Sequence, residues 1–178
     1  MNSLCIDIGH SSLNKHGETL CGDAVEVTEN DKGEAIIVLT DGLGSGVKAC
    51  ILSTLTAKII ATMMAASMDI EDCVAAIAQT LPVCEVRQIA YSTFTIIRVF
   101  ENLEAEIFQY DNPHVIFLRD GVYVRLDETH MVIDGKSIYK SQVKLKENDI
   151  FIAVSDGVIH AGVGKQVAVF VGDFTVFL

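Results

Sequence analysis

Proline is scarce in this chain, occurring only at Pro82 and Pro113. No repeat, low-complexity tract or linker interrupts the sequence, so it reads as one domain over residues 1–178. Cysteine is present but unpaired in pattern. Cys5, Cys21, Cys50, Cys73 and Cys84 are odd in number and form no CxxC. That argues against a disulfide frame and a zinc site, and suits reduced thiols in the cytoplasm. Long apolar runs are missing too. Lys48 and Lys58 break the best candidate, residues 47–66, and nowhere do about 18 apolar residues run together, so no membrane span is expected. The opening "MNSLCIDIGH" has no basic region before an apolar stretch and is not read as a secretory signal. Positive charge is in short supply: 13 Lys and Arg stand against 24 Asp and Glu, a net charge of -11. Such a surface repels nucleic acid and anionic lipid, so neither is an expected partner. The acidic excess serves solubility, or brings some carboxylates together around cations.

Half the residues are hydrophobic, which is ample for a core. Residues 2–8 and 23–29 read as short strands, and "NDKG" at 30–33 as a turn. The continuous apolar run "EAIIVLT" at 34–40 has the length of a central strand. The period then changes. Val47, Ile51, Leu55, Ile59 and Met63 recur every four positions and mark one face of a helix over 45–66. Asp69 can cap a second helix, with Glu71 and Asp72 in its first turn, Val74, Ile77 and Leu81 on its buried face, and Pro82 as its stop. From Ser92 onward come seven β-rich segments separated by turns such as Asp120-Gly121 and Asp134-Gly135. Phe94, Phe100, Phe108, Phe117 and Phe151 sit in strand patterns and are expected in the core, as are the methionines at 63, 64 and 68. Strands, two helices and a meander suit an α+β domain: a two-sheet antiparallel sandwich covered by helices.

The seam "TDGLGSGVKA", residues 40–49, joins the central strand to the first helix. Two chemistries fit a glycine-rich turn there. A phosphate cradle is disfavoured, because Gly42, Gly44 and Gly46 read G-x-G-x-G and Asp41 would repel a pyrophosphate. "GVGKQ" at 162–166 fails as a Walker loop, since Gln166 replaces the hydroxyl residue. A nucleotide-binding domain is therefore the weaker rival. The other reading is a metal site. Asp23, Asp41, Asp156 and Asp173 each stand beside a glycine at the start or end of a β segment. Taken singly, an Asp-Gly pair is a turn, and Asp120-Gly121 and Asp134-Gly135 are expected to be no more. Taken as a set, the four aspartates point to carboxylates meeting at one edge of a sandwich. All-oxygen coordination suits Mg²⁺ or Mn²⁺ rather than zinc.

Asp23, the "TDGLGSGVKA" seam, the hairpin "YDNPHVIFLRDG" and "VSDGVIHAG" resemble the metal-dependent protein phosphatases, the PPM or protein phosphatase 2C superfamily. Within it they are similar to the bacterial SpoIIE/RsbU/RsbX-like branch. The resemblance covers about residues 17–161, with a possible last element at 173–178. It implies a β-sandwich flanked by helices, two Mn²⁺ or Mg²⁺ ions, and dephosphorylation of phosphoserine or phosphothreonine by a hydroxide bridging the ions. It also implies a phosphorylated regulatory partner of the STAS or stressosome type. By the same resemblance Asp23 matches the first metal aspartate and Asp41 the one that bridges both ions. Gly42 supplies a carbonyl, Asp156 the late Ser-Asp-Gly ligand, and Asp173 the terminal aspartate. Only 16 residues separate Asp156 from Asp173, and Gly172 replaces the first Asp of the family's ending. The C-terminal helical part is thus expected to be shortened, and the second ion depends on Asp173. That shortening is also what favours the rival reading of a non-catalytic, phosphatase-like binding domain. A departing serine oxygen needs a proton, for which His114, His160 and His16 are candidates. Lys15, Lys48 and Arg87 are candidates to hold phosphate. None of the cysteines has a basic neighbour that would mark a nucleophile.

Overall fold

A computed structural model describes residues 5–14, 16–80, 92–160 and 175–177. Eleven strands and three helices are seen there: β1 (Gly9–Ser11), β2 (Asp23–Glu29), β3 (Ala35–Asp41), α1 (Gly46–Ala65), α2 (Ile70–Thr80), β4 (Thr93–Val99), β5 (Glu104–Tyr110), β6 (Ile116–Arg119), β7 (Val122–Tyr123), β8 (Glu128–Ile133), β9 (Lys136–Lys144), β10 (Asp149–Val154), α3 (Asp156–His160) and β11 (Thr175–Phe177). They build two antiparallel sheets, one ordered β2-β3-β4-β5-β9-β8 and the other β1-β11-β10-β6-β7. The architecture is the expected α+β sandwich with helices on it.

The continuous apolar run of β3 is explained by burial on both faces. Ile36 and Val38 pack with Ile60, Met64, Val74 and Ile77 of the two helices. Ile37 and Leu39 point the other way, into the space between the sheets, where Phe117 and Phe151 stack with ring centroids 4.9 Å apart. Phe94 and Phe108 are buried as expected, while Phe100 is half-buried. Asn30 shapes the turn before β3, its side-chain oxygen accepting from the backbone N–H groups of Lys32 and Glu34, both at 3.0 Å. Asp120-Gly121 and Asp134-Gly135 are two-residue hairpin loops with positive φ at both positions, the type I′ pattern.

Three expectations need correction. The strand expected at 2–8 is not formed over its described residues, 5–8, which are irregular; the first described strand, β1, lies at Gly9–Ser11, where it pairs with β11. The long range of that partner hides it from local sequence pattern. The helix over 45–66 exists, but the first three members of the four-residue stripe face outward, with Val47 60%, Ile51 52% and Leu55 45% exposed, while Ile59 and Met63 are half-buried against the core. The buried face is Ala49, Leu52, Ser53, Thr56, Ala57, Ile60, Ala61 and Met64. α1 is apolar nearly all round, so spacing does not choose its face. Close approach does: small residues let the helix lie on β2 and β3, and the Thr40 hydroxyl donates to the Ser53 carbonyl at 2.9 Å. By length and composition α1 is long and apolar enough to cross a membrane, contrary to the reading from Lys48 and Lys58, yet here its inner face belongs to the core. Third, Met68 is exposed rather than packed, whereas Met64 is buried. In α2, Val74 and Ile77 are buried as expected; Leu81 and Pro82 lie outside the described residues.

The helix face is open to test by denaturant unfolding. Ile60→Ala should cost about 2–5 kcal/mol, as buried truncations do. Ile51→Gln should cost about 0.5 kcal/mol or less, as surface changes do. The reverse ranking would mean that α1 presents its other face to the sheet.

Candidate active site

The register of β2 against β3 places Asp23 directly opposite Asp41. Directly opposed residues in an antiparallel pair share a face, and like charges there repel. Asp41 has the parity of Ile37 and Leu39, so both carboxyls point to the space between the sheets. The facing sheet supplies the rest. β10 ends at Val154, Ser155 follows, and its hydroxyl donates to Asp23 Oδ2 at 2.9 Å, bridging 132 positions of sequence. Asp156 opens α3 at the same place.

Asp41 sits between the other two carboxyls. Burial, then the negative charge of Asp23, then the hydrogen bond and charge of Asp156 push its pKa up to about 9, from an ordinary 3.8. Protonated, Asp41 has one O–H, which it can donate to Asp156 or to Asp23. Asp23 is also raised, chiefly by burial and less by the charge of Asp156, while the Ser155 hydroxyl and the Asp41 proton pull it back. Three acids gathered so closely cannot all be ionised without a counter-charge.

The glycines of the seam have separate tasks. Gly42 donates its N–H to the Gly22 carbonyl at 3.1 Å, and a Cβ there would fall 2.2 Å from the Ala49 carbonyl oxygen. Only glycine fits between the two loops and the helix. Gly44 and Gly46 have φ of 97° and 74°, which glycine adopts without strain. Between them the Ser45 hydroxyl donates to Glu18 Oε1 at 2.9 Å, tying the seam to the loop before β2. Unlike Asp120-Gly121 and Asp134-Gly135, neither Asp41-Gly42 nor Asp156-Gly157 has positive φ. They end strand or begin helix and are not hairpin turns.

A cleft of about 600 Å³ opens over these residues, lined among others by Asp41, Gly42, Asp156, Thr93, His114 and Tyr139. The loop from β5 to β6 forms one wall; it is not the expected hairpin but a crossover, because β5 and β6 belong to different sheets. The Thr93 hydroxyl donates to Asn112 Oδ1 at 2.7 Å, and Asn112 Nδ2 donates to the Thr95 hydroxyl at 3.2 Å. Sequence reasoning missed Thr93, Asn112, Tyr139 and Glu128, because their placement depends on which strands pair. It missed the role of Ser155 for the same reason. Of the other candidates, His16 and Lys48 are exposed. Lys15, Arg87, Asp173 and the side chain of His160 lie outside the described residues.

Among the described residues no three His, Cys, Asp or Glu side chains are disposed as ligands around one point; the carboxyls bond to each other instead. The donor set itself fits a hard divalent cation. It is oxygen throughout, and a cation is the charge that would let Asp41 ionise.

Residues 31–174 match the family model described as Stage II sporulation protein E (SpoIIE). The chain belongs to the SpoIIE family. Its fold is that of solved phosphatase domains. The PP2C phosphatase domain of SpoIIE from Bacillus subtilis, with a fragment of its regulatory domain, matches with TM-score 0.77 and 16% identity, over 99% of this chain and 63% of that one. The RsbU and RsbW domains of a Mycobacterium tuberculosis protein match with TM-score 0.70 and 15% identity, over 90% of this chain and 46% of that one. RsbX in complex with magnesium matches with TM-score 0.64 and 21% identity, over 96% of this chain and 92% of that one. The chain therefore spans less than two thirds of the SpoIIE structure it matches. No curated protein matches its sequence.

The acid cluster makes stability depend on pH. Between 3.8 and about 9 Asp41 is protonated when folded and ionised when unfolded. The folded state holds the extra proton, so this contribution is full below the unfolded value and is lost as pH rises through the folded one. In chelator, the melting temperature should fall as pH climbs towards 9, and Asp41→Asn should flatten that fall and melt higher at alkaline pH. Superimposable pH profiles for the two proteins would show that Asp41 is not the proton-holding acid.

Proposed function

We propose that this SpoIIE-family chain is a divalent-metal-dependent phosphatase acting on phosphoserine or phosphothreonine of a regulatory protein, in the cytoplasm. The observation that carries the reading is Asp41, flanked by Asp23 across the strand pair and Asp156 from the facing sheet, at the floor of an open cleft. Asp23, Asp41 and Asp156, with the Gly42 carbonyl, would hold Mn²⁺ or Mg²⁺; a second ion would call on Asp173. When bound, such ions act as Lewis acids on phosphoryl oxygens and lower the pKa of the attacking water. The chain supplies the rest. Asp41 gives up its proton on loading and contributes negative charge on both sides. Ser155 holds Asp23 in one rotamer through its hydroxyl. Gly42 keeps the floor free of side chains, and the cleft is wide enough to admit a phosphorylated side chain on a protein surface.

The match to a chain with RsbU and RsbW domains supports a regulatory protein as partner; a phosphoprotein of the STAS type is what the family resemblance implies. The magnesium of the RsbX structure supports the choice of ion. One observation favours the rival, a non-catalytic phosphatase-like binding domain: the described acids are not disposed around a point.

Hydrolysis of a phosphoserine peptide and of p-nitrophenyl phosphate separates the two. Turnover should require added Mn²⁺ or Mg²⁺ and stop in chelator. Asp41→Asn should lower it by far more than tenfold, or about 1.4 kcal/mol of barrier, while the fold melts cooperatively. Full activity in excess chelator would refute the metal mechanism, and no activity under any metal would favour the binding domain.

A further inference from the structure

We propose that His114 is the general acid of this site, protonating the serine or threonine oxygen as it leaves phosphorus, and that Glu128 positions it. The inference rests on the phosphatase reading above.

Among the described residues His114 is the one histidine lining the cleft that also holds Asp41 and Asp156. Its side chain is 60% exposed but is not without a partner. Its Nδ1 stands 2.6 Å from Glu128 Oε1. An ionised carboxylate accepts only, so Nδ1 carries a hydrogen and donates it, and Nε2 is left for the substrate. The Tyr139 ring, itself in the cleft wall, meets the imidazole edge-on with centroids 5.6 Å apart. His130 packs against the same tyrosine at 5.4 Å. The backbone beneath is braced. Gln109 Oε1 accepts from the Val115 N–H at 3.3 Å, and Gln109 Nε2 donates to the Pro113 carbonyl at 3.5 Å. Pro113 restricts the residue before the histidine. A carboxylate behind an imidazole, with the other nitrogen turned to a reaction site, is the arrangement that fixes the tautomer and the orientation of the ring.

The site needs such a group. Asp23, Asp41 and Asp156 are committed to one another or to cations, and none stands on the β5–β6 loop that bears His114. In the step assigned here, a water oxygen forms its bond to phosphorus while the bond from phosphorus to the serine oxygen breaks, leaving its electron pair on that oxygen. The Nε2–H bond of imidazolium breaks and the proton goes to the serine oxygen. Neutral His114 then regains a proton from solvent. A serine alkoxide is too basic to leave easily without this proton, whereas p-nitrophenolate leaves without help.

Leaving-group dependence therefore tests the role. With Mn²⁺ present, His114→Gln should lower kcat on a phosphoserine peptide by about 100-fold or more, the usual contribution of a general acid, and leave p-nitrophenyl phosphate within about threefold of wild type. Glu128→Gln should show the same selectivity with a smaller loss. Equal loss on both substrates would make His114 a phosphate-binding group and overturn the proposal. No loss on either would make it a surface residue and overturn it too. Wild-type protein inert on both substrates with metal would instead overturn the phosphatase reading itself, and the proposal with it.

Discussion

Three carboxyl groups held against their mutual repulsion are the constraint on which this structure turns. Asp23 and Asp41 face each other because β2 and β3 pair in one register and no other. A slip by one residue would send Asp41 to the helix face and Leu39 with it out of the sandwich. The register is held by the burial of Ile36 and Val38 on one side and Ile37 and Leu39 on the other. The energy that sets the acids together is thus hydrophobic, drawn from the core two residues away. The third acid arrives from the facing sheet, and the Ser155–Asp23 hydrogen bond joins the two sheets where the acids meet.

Around that cluster the chain is built for close approach. Gly42 has no room for a side chain, Ala49 presents the smallest one possible, and Ser53 offers its carbonyl to Thr40. These small residues bring α1 down onto the strand ends, and they turn Val47, Ile51 and Leu55 outward. The seam is therefore neither a phosphate cradle nor a simple turn. Its first glycine makes space, and the next two reverse the chain into the helix.

Much of this was legible in the sequence, and the failures have physical causes. Period-two segments and a continuous apolar run locate β2 through β6, β9 and β10, because local side-chain alternation records which faces are buried, whereas the segment at 122–128 forms only the two-residue β7 and β8 starts earlier than its segment, at Glu128. The same logic does not choose the buried face of α1, where apolar residues lie on every side and backbone proximity decides. It misplaces β1, whose partner is the last strand of the chain. For the site, Asp-Gly pairs at segment ends point to Asp23, Asp41 and Asp156, and backbone φ separates them from the hairpin turns at Asp120 and Asp134. Glu128 and Tyr139 carry no such mark. They reach His114 only because β8 and β9 fold back beside the β5–β6 loop that bears it.

The central claim is that the acid cluster around Asp41 exists to be neutralised by divalent cations. Anomalous diffraction at the manganese edge, from crystals of the protein grown with Mn²⁺, reads this directly. The account predicts a peak bonded to Asp41 and shared with Asp23 or Asp156, with a second about 3.5–4 Å away if the site is binuclear. Manganese absent from this cluster at saturating concentration, with Asp41 still hydrogen-bonded to its neighbours, would contradict it.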